Sequence, residues 1–435
     1  MKTYNHLKNG KKMIYHSNYL LVVAVLITLT VLNQSWHKNV YNPFFLFSIG
    51  HIISLLIAMG TVKKDLSSSL TLISLLMFIS FFIGCYLSNK ITFKNNSTIL
   101  STNIYSNKLV KKVLPFLYVV VTLFDIISIY SVISQFGLTN FFVKMGLYFS
   151  MMKDSEINVS IFILSFLLFY SAIVFLYALY YKLDNKKRLQ IFLVLCYVPF
   201  IFIKRSFIIY LLIINIFEFI ILSNISKKIK KTFIKHKLKI IILIIVFFFA
   251  FLITQNAMGK SSKEKQFNWY NIRIPSMLND IIVYTGFNYP YLDELWDNNP
   301  KYLSFSVSTS RGYAINVMSN YYEEISEYFK LDFLNIETIN NNYQPFNTTP
   351  IQYYAFLDFG YGLSIAFFLC GFCVEKLYLK LRRNLTLQNI LIYVWIIPVL
   401  ILSFREYDMI MNLYYYYLFF IFIMNRLLVL IKKRG

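Results

Sequence analysis

The feature that constrains this chain most is a series of continuous apolar runs, each about as long as a bilayer core is thick. About 20 residues of α-helix cross a hydrocarbon layer of roughly 30 Å, and runs of that order recur along all 435 residues. The run Ile240 to Ile253 shows no alternation of polar and apolar residues, which excludes the strands of a membrane barrel. With 57% hydrophobic and only 14% charged residues, the chain has more apolar surface than a water-soluble domain of this size can bury. The expected fold is therefore all-α, a polytopic transmembrane helical bundle.

Spans are expected at 18–33, 43–62, 66–88, 113–134, 159–181, 189–203, 206–223, 238–254, 353–374, 386–403 and 409–431. The count of eleven has ten and twelve as its neighbours. This divides the chain into 1–254 with eight helices, a long polar loop at 255–352, and 353–435 with three more. The loop is rich in Asn, Tyr, Ser, Asp and Glu, and its stretch Gly312 to Phe329 has helical apolar spacing. Segment 136–152 is apolar but short, and reads as an interfacial or re-entrant helix. The run Tyr414 to Tyr417 fits an aromatic belt.

The formal charge of +23 is spread over short clusters between spans, so it marks topology and contacts to anionic lipid and does not form a nucleic-acid surface. The clusters Lys182 to Arg188, Lys227 to Lys239, Lys376 to Arg383 and Lys432 to Arg434 fall on alternate connections. The positive-inside rule puts all four in the cytoplasm and the long loop outside. Counted back, the same parity puts the N-terminus outside, although Lys2, Lys8, Lys11 and Lys12 argue for the cytoplasm. That conflict is confined to the first hundred residues. No cleaved signal peptide is expected, because further spans follow the first and no small-residue cleavage site is evident after it.

Cys85, Cys196, Cys370 and Cys373 lie in or beside apolar runs, where core packing is expected and a disulfide framework is not. The five histidines, His6, His16, His37, His51 and His236, all lie outside the long loop, which argues against an imidazole base on the outer face. No His/Cys cluster suggests zinc. The acidic stretch Leu292 to Asp297 reads as a solvated turn or a divalent-cation site.

Arginine is scarce relative to lysine, so the outward ones carry information. Arg205 stands between two apolar runs, where a guanidinium either snorkels to headgroups or clamps a phosphate with its planar fork. Arg273 and Arg311 lie in the long loop, and Arg405 opens the last outward connection. Asp125 sits mid-span and must pair with a cation or line a polar cavity. Glu218 reads as an interfacial residue near Lys227 and Lys228. Asp358, Glu406 and Asp408 stand beside outer span ends, placed to act on a hydroxyl as a general base.

The segment Asn347-Thr-Thr-Pro350, followed by Asp358-Phe-Gly-Tyr-Gly362 and a span carrying Gly371, resembles the loop exit of bacterial oligosaccharide repeat-unit polymerases of the Wzy type. Lys204-Arg205-Ser206 is similar to that family's arginine at an outer span junction. The layout agrees over most of the chain, while about twenty residues carry specific identity. The Arg-x10-Gly spacing of some O-antigen polymerases is not met by Arg205, Arg273 or Arg311. The related O-antigen ligases rely on a histidine in the long loop, which this loop lacks.

What the resemblance implies is a glycosyltransferase of the cytoplasmic membrane that joins undecaprenyl-diphosphate-linked repeat units into capsule, exopolysaccharide or O-antigen, without cofactor or metal. Arg205, Arg311, Asp358, Glu406 and Asp408 would be its catalytic set. Arg273, Arg405, Asp125, Asn347 and Gly360 would bind substrate. Expected partners are the lipid-linked donor and acceptor, membrane lipid, a flippase and a chain-length regulator. The rival classes are a lipid-linked oligosaccharide flippase, a ligase-like transferase and a metal-dependent transferase.

Overall fold

The computed structural model describes residues 16–62, 64–93, 205–225, 268–269, 272–274, 278–298, 350–405 and 416–424. It also describes helical positions at 119, 123, 126, 130, 133, 134, 166, 169, 170, 172, 173 and 426. In chain order the elements are α1 (Ser17–His37), α2 (Pro43–Thr61), α3 (Ser68–Phe93), α4 (Arg205–Ile225), β1 (Asn268–Trp269), β2 (Ile272–Arg273), α5 (Asn279–Gly286) and α6 (Asn288–Asn298). They continue with α7 (Ile351–Phe359), a 3-10 turn (Gly360–Gly362), α8 (Leu363–Arg383) and α9 (Leu387–Leu402). The two short strands form an antiparallel hairpin with Asn268 opposite Arg273, and β1 packs against α2.

Local chemistry sets the helix ends. Helix α1 stops where Lys38 takes a left-handed conformation, φ 54°, and returns its N–H to the Gln34 carbonyl. Helix α2 begins where Asn42 accepts a bond from the Phe45 N–H at 2.8 Å, with Pro43 supplying a preset φ at the first helical position. Thr386 caps α9 in the same way, accepting from Asn389 N–H at 3.2 Å.

Among the described residues, four helices are long and apolar enough to cross a membrane: Ser17–His37, Pro43–Thr61, Ser68–Ile91 and Gly360–Arg383. Their outward faces carry large apolar side chains, with Val31 63% and Ile365 66% exposed alongside Leu20, Leu72, Ile83 and Leu369. Each such side chain facing water forgoes about 2 kcal/mol of burial. A surface of this kind belongs in lipid, and the protein is a membrane protein.

Polar contacts fix the direction of each helix. Asp65, in the α2–α3 connection, accepts from Ser17 Oγ, Asn18 N and Tyr19 N, which joins that connection to the start of α1. Asp293 of α6 accepts from Ser67 N and pairs with Lys64 Nζ at 3.2 Å, so α6 lies at the same end. At the other end Asn39 donates to the Tyr378 hydroxyl, Tyr393 donates to the Tyr41 carbonyl, and Asn224 bonds the Tyr41 hydroxyl. Helices α1, α3, α4 and α8 therefore run from a loop end, where α5 and α6 sit, to a basic end that carries Lys376 to Arg383. Helices α2 and α9 run back.

Helix α1 starts at the loop end, and three alternating helices account for residues 17–93. Helices α3 and α8 cross closely because Gly84 and Gly371 face each other's backbone. A Cβ on Gly84 would run into the Phe368 carbonyl, and one on Gly371 into the Phe81 carbonyl. Cys85 Sγ uses the same approach to donate to the Gly371 carbonyl at 3.4 Å.

Three expectations change. The span expected at 353–374 is two helices, α7 and α8, because Gly360 breaks the helix at φ 54° and α8 continues through the basic residues to Arg383. Cys370 and Cys373 are exposed on the surface of α8, so of the described cysteines only Cys85 packs in the core; Cys196 lies outside the described residues. Tyr417 is fully buried and stacks on Trp395 at 3.8 Å, so it packs inside the bundle and does not face lipid; Tyr414 and Tyr415 lie outside the described residues.

Candidate functional site

Arg205 and Arg405, both singled out in the sequence, fall at the loop end. Arg205 opens α4 there, since the Asn224 end of that helix lies beside Tyr41 at the basic end. Arg273 ends the β hairpin and is exposed. Arg405 follows α9, its guanidinium 5.1 Å from the Tyr284 ring of α5, and its Nε makes no hydrogen bond among the described residues. Asp358 lies in the last turn of α7, and Gly360 forms the left-handed turn into α8. Asp125, Arg311, Asn347, Glu406 and Asp408 lie outside the described residues, as do segments 136–152 and 312–329.

What joins these segments is His51, which sequence reasoning set aside. The ring is fully buried on α2, among Phe47, Phe78 and Phe404. Its Nδ1 lies 2.7 Å from the Tyr289 hydroxyl of α6, and its Nε2 lies 2.9 Å from Ser403 Oγ just past α9. Ser403 has one hydroxyl proton and gives it to the Leu400 carbonyl at 2.7 Å. Toward the imidazole it can only accept, so Nε2 carries the ring proton and Nδ1 accepts from Tyr289. Burial pushes the Tyr289 phenol well above its usual pKa, which keeps it a donor.

Gln352 of α7 lies beside that phenol and donates to Ser74 of α3 at 3.5 Å. The Ser403 carbonyl accepts from the Ile351 N–H at 2.9 Å. One buried chain of neutral groups thus ties α3, α7, α6, α2 and the end of α9 together. Ser403 and His51 do not form a nucleophile and base, because the serine proton points away from the imidazole.

The basic end holds a different kind of polar core. His37 Nε2 lies 3.1 Å from Glu375 Oε1, both side chains fully shielded, and the His37 ring meets Tyr378 edge-on. Arg382 sits 5.8 Å over the Tyr378 ring. Glu218, expected at an interface, is instead fully buried in α4, with neither oxygen hydrogen-bonded. An ionised carboxylate there is costly.

The acidic stretch at 292–297 lies in α6, and its Asp293 is occupied by Lys64 and Ser67. Among the described residues no three His, Cys, Asp or Glu side chains gather into a group that could hold a metal ion. No family model, no curated protein and no solved structure matches the chain.

Proposed function

We propose that the chain is a repeat-unit polymerase of the cytoplasmic membrane, an eleven-span bundle whose long loop faces outward and which joins undecaprenyl-diphosphate-linked oligosaccharides into surface polysaccharide. The observation that carries the reading is the shared end: Arg205 starts α4 at the end where α5 and α6 lie, Arg405 sits 5.1 Å from the Tyr284 ring of α5, and the Asp358–Gly362 turn leads into the start of α8. In the reaction, the acceptor sugar hydroxyl attacks the anomeric carbon of the donor. The bond from that carbon to the diphosphate oxygen breaks, undecaprenyl diphosphate leaves with the electron pair, and the hydroxyl proton passes to a carboxylate.

Arginines held near the bilayer surface stabilise the charge that grows on the diphosphate. Arg205 and Arg311 are assigned that role, assisted by Arg273 and Arg405, and the Nε of Arg405 has no competing hydrogen bond among the described residues. Asp358, Glu406 or Asp408 orients the acceptor and takes its proton. Tyr and Asn side chains of the loop bind sugar, and grooves between spans admit the polyprenyl chains. The test is purified protein in vesicles with lipid-linked repeat units. A glycan ladder that persists with a chelator and is lost in Arg205→Ala is expected; a ladder unchanged in Arg205→Ala at equal protein level contradicts the assignment.

A second reading, a flippase for the same units, is favoured by the ionisable groups inside the bundle, Glu218 and the His37–Glu375 pair. Deletion separates the two: loss of a flippase strands lipid-linked units in the cytoplasm, whereas loss of a polymerase leaves single units exported.

A further inference from the structure

Three segments that the polymerase reading needs meet at one imidazole. Ser403 receives the Nε2 proton of His51, its carbonyl holds the first amide of α7, and Arg405 follows two residues later. Tyr289, on the other ring nitrogen, belongs to the α6 part of the long loop. The ring is fully buried and touches no solvent, so His51 reaches a substrate only through the groups it holds.

We propose that His51 is a positioning residue: its two nitrogens hold the α6 segment of the loop and the Ser403–Arg405 turn in fixed register, and through Ser403 they hold the α7 exit that leads to Asp358. The consequence for polymer length rests on the polymerase reading, while the register itself does not. The two bonds differ in chemistry, which makes them separable. An asparagine at position 51 sets its Oδ1 near the place of Nδ1 and can accept from Tyr289, but cannot donate to Ser403. A glutamine sets its amide nitrogen near the place of Nε2 and can donate to Ser403, but removes the α2 acceptor of the Tyr289 hydroxyl.

The experiment is amide hydrogen exchange on purified full-length protein in detergent, read in the peptides 288–298 and 350–359. His51→Asn is expected to raise exchange roughly five- to tenfold at 350–359 and spare 288–298, as loss of one buried hydrogen bond would. His51→Gln is expected to do the reverse. Tyr289→Phe and Ser403→Ala cut the same bonds from the partner side and are expected to reproduce the Gln and Asn patterns respectively.

If both peptides respond alike to both substitutions, or neither responds, the proposal is overturned. The vesicle assay adds a readout that packing alone would not split. His51→Asn shortens the ladder by raising KM for the lipid-linked acceptor about tenfold with kcat little changed, and His51→Gln restores it. Equal shortening in both variants also overturns the positioning role. Absence of any ladder from the unaltered protein refutes the polymerase reading, and the exchange pattern then decides the register alone.

Discussion

The two ends of the bundle bury histidine in opposite ways, and the contrast separates scaffolding from the site. At the loop end His51 is neutral and hydrogen-bonded on both sides, within a chain of hydroxyls and an amide that crosses five segments. At the basic end His37 faces one carboxylate, Glu375, at 3.1 Å, and neither side chain has another hydrogen-bond partner among the described residues. A neutral chain orients several segments at once for little desolvation cost. A buried histidine–carboxylate contact joins only two helices and becomes a liability when either partner is lost.

The largest way to break this comparison is at the basic end. Glu375→Ala strands the His37 imidazole, and His37→Ala strands the carboxylate. Each is expected to lower stability by about 3–5 kcal/mol, whereas the double replacement by Leu and Met recovers most of the loss. Thermal unfolding in detergent reads this, and additive losses in the double variant would mean that the two groups are not a pair. Next is the crossing that both ends depend on. Gly371→Leu drives a side chain into the Phe81 carbonyl and is expected to cost about 3 kcal/mol, seen as loss of monodisperse protein on size exclusion.

His51→Phe keeps the ring's bulk but removes both the acceptor that Tyr289 uses on α2 and the donor to Ser403, a loss of about 2 kcal/mol by the same unfolding assay. The smallest effect is expected at the rim of the loop end. Lys64 is 59% exposed, so Lys64→Ala should change stability by less than about 1 kcal/mol. A larger change there would mean that the loop end is held by charge after all.

These regions were unequally legible in the sequence. Helices α1 to α4 and α9 fall close to the spans read from apolar runs, because hydropathy marks their length. The α7–α8 break was missed because hydropathy does not register a glycine that takes a left-handed turn, nor a helix that continues into basic residues. The exposure of Cys370 and Cys373 was not legible either, because an apolar run does not say which of its faces meets another helix.

His51 stood unread because a lone histidine in an apolar run gives no sign of its partners, and Tyr289 and Ser403 lie 238 and 352 residues away. The same holds for Glu218. Its sequence distance to Lys227 suggested an interface, but side-chain packing decides its burial. The arginine junctions at 205 and 405 were legible, since a scarce residue type beside an apolar run draws notice without tertiary information.

The central claim is that the chemistry belongs to the loop end, and one measurement tests it most directly: glycan ladders from matched arginine substitutions at the two ends. Arg405→Ala, beside Tyr284, is expected to abolish long polymer at normal protein level, while Arg382→Ala, beside Tyr378, leaves the ladder intact. Loss of polymer in Arg382→Ala with a full ladder in Arg405→Ala would contradict it.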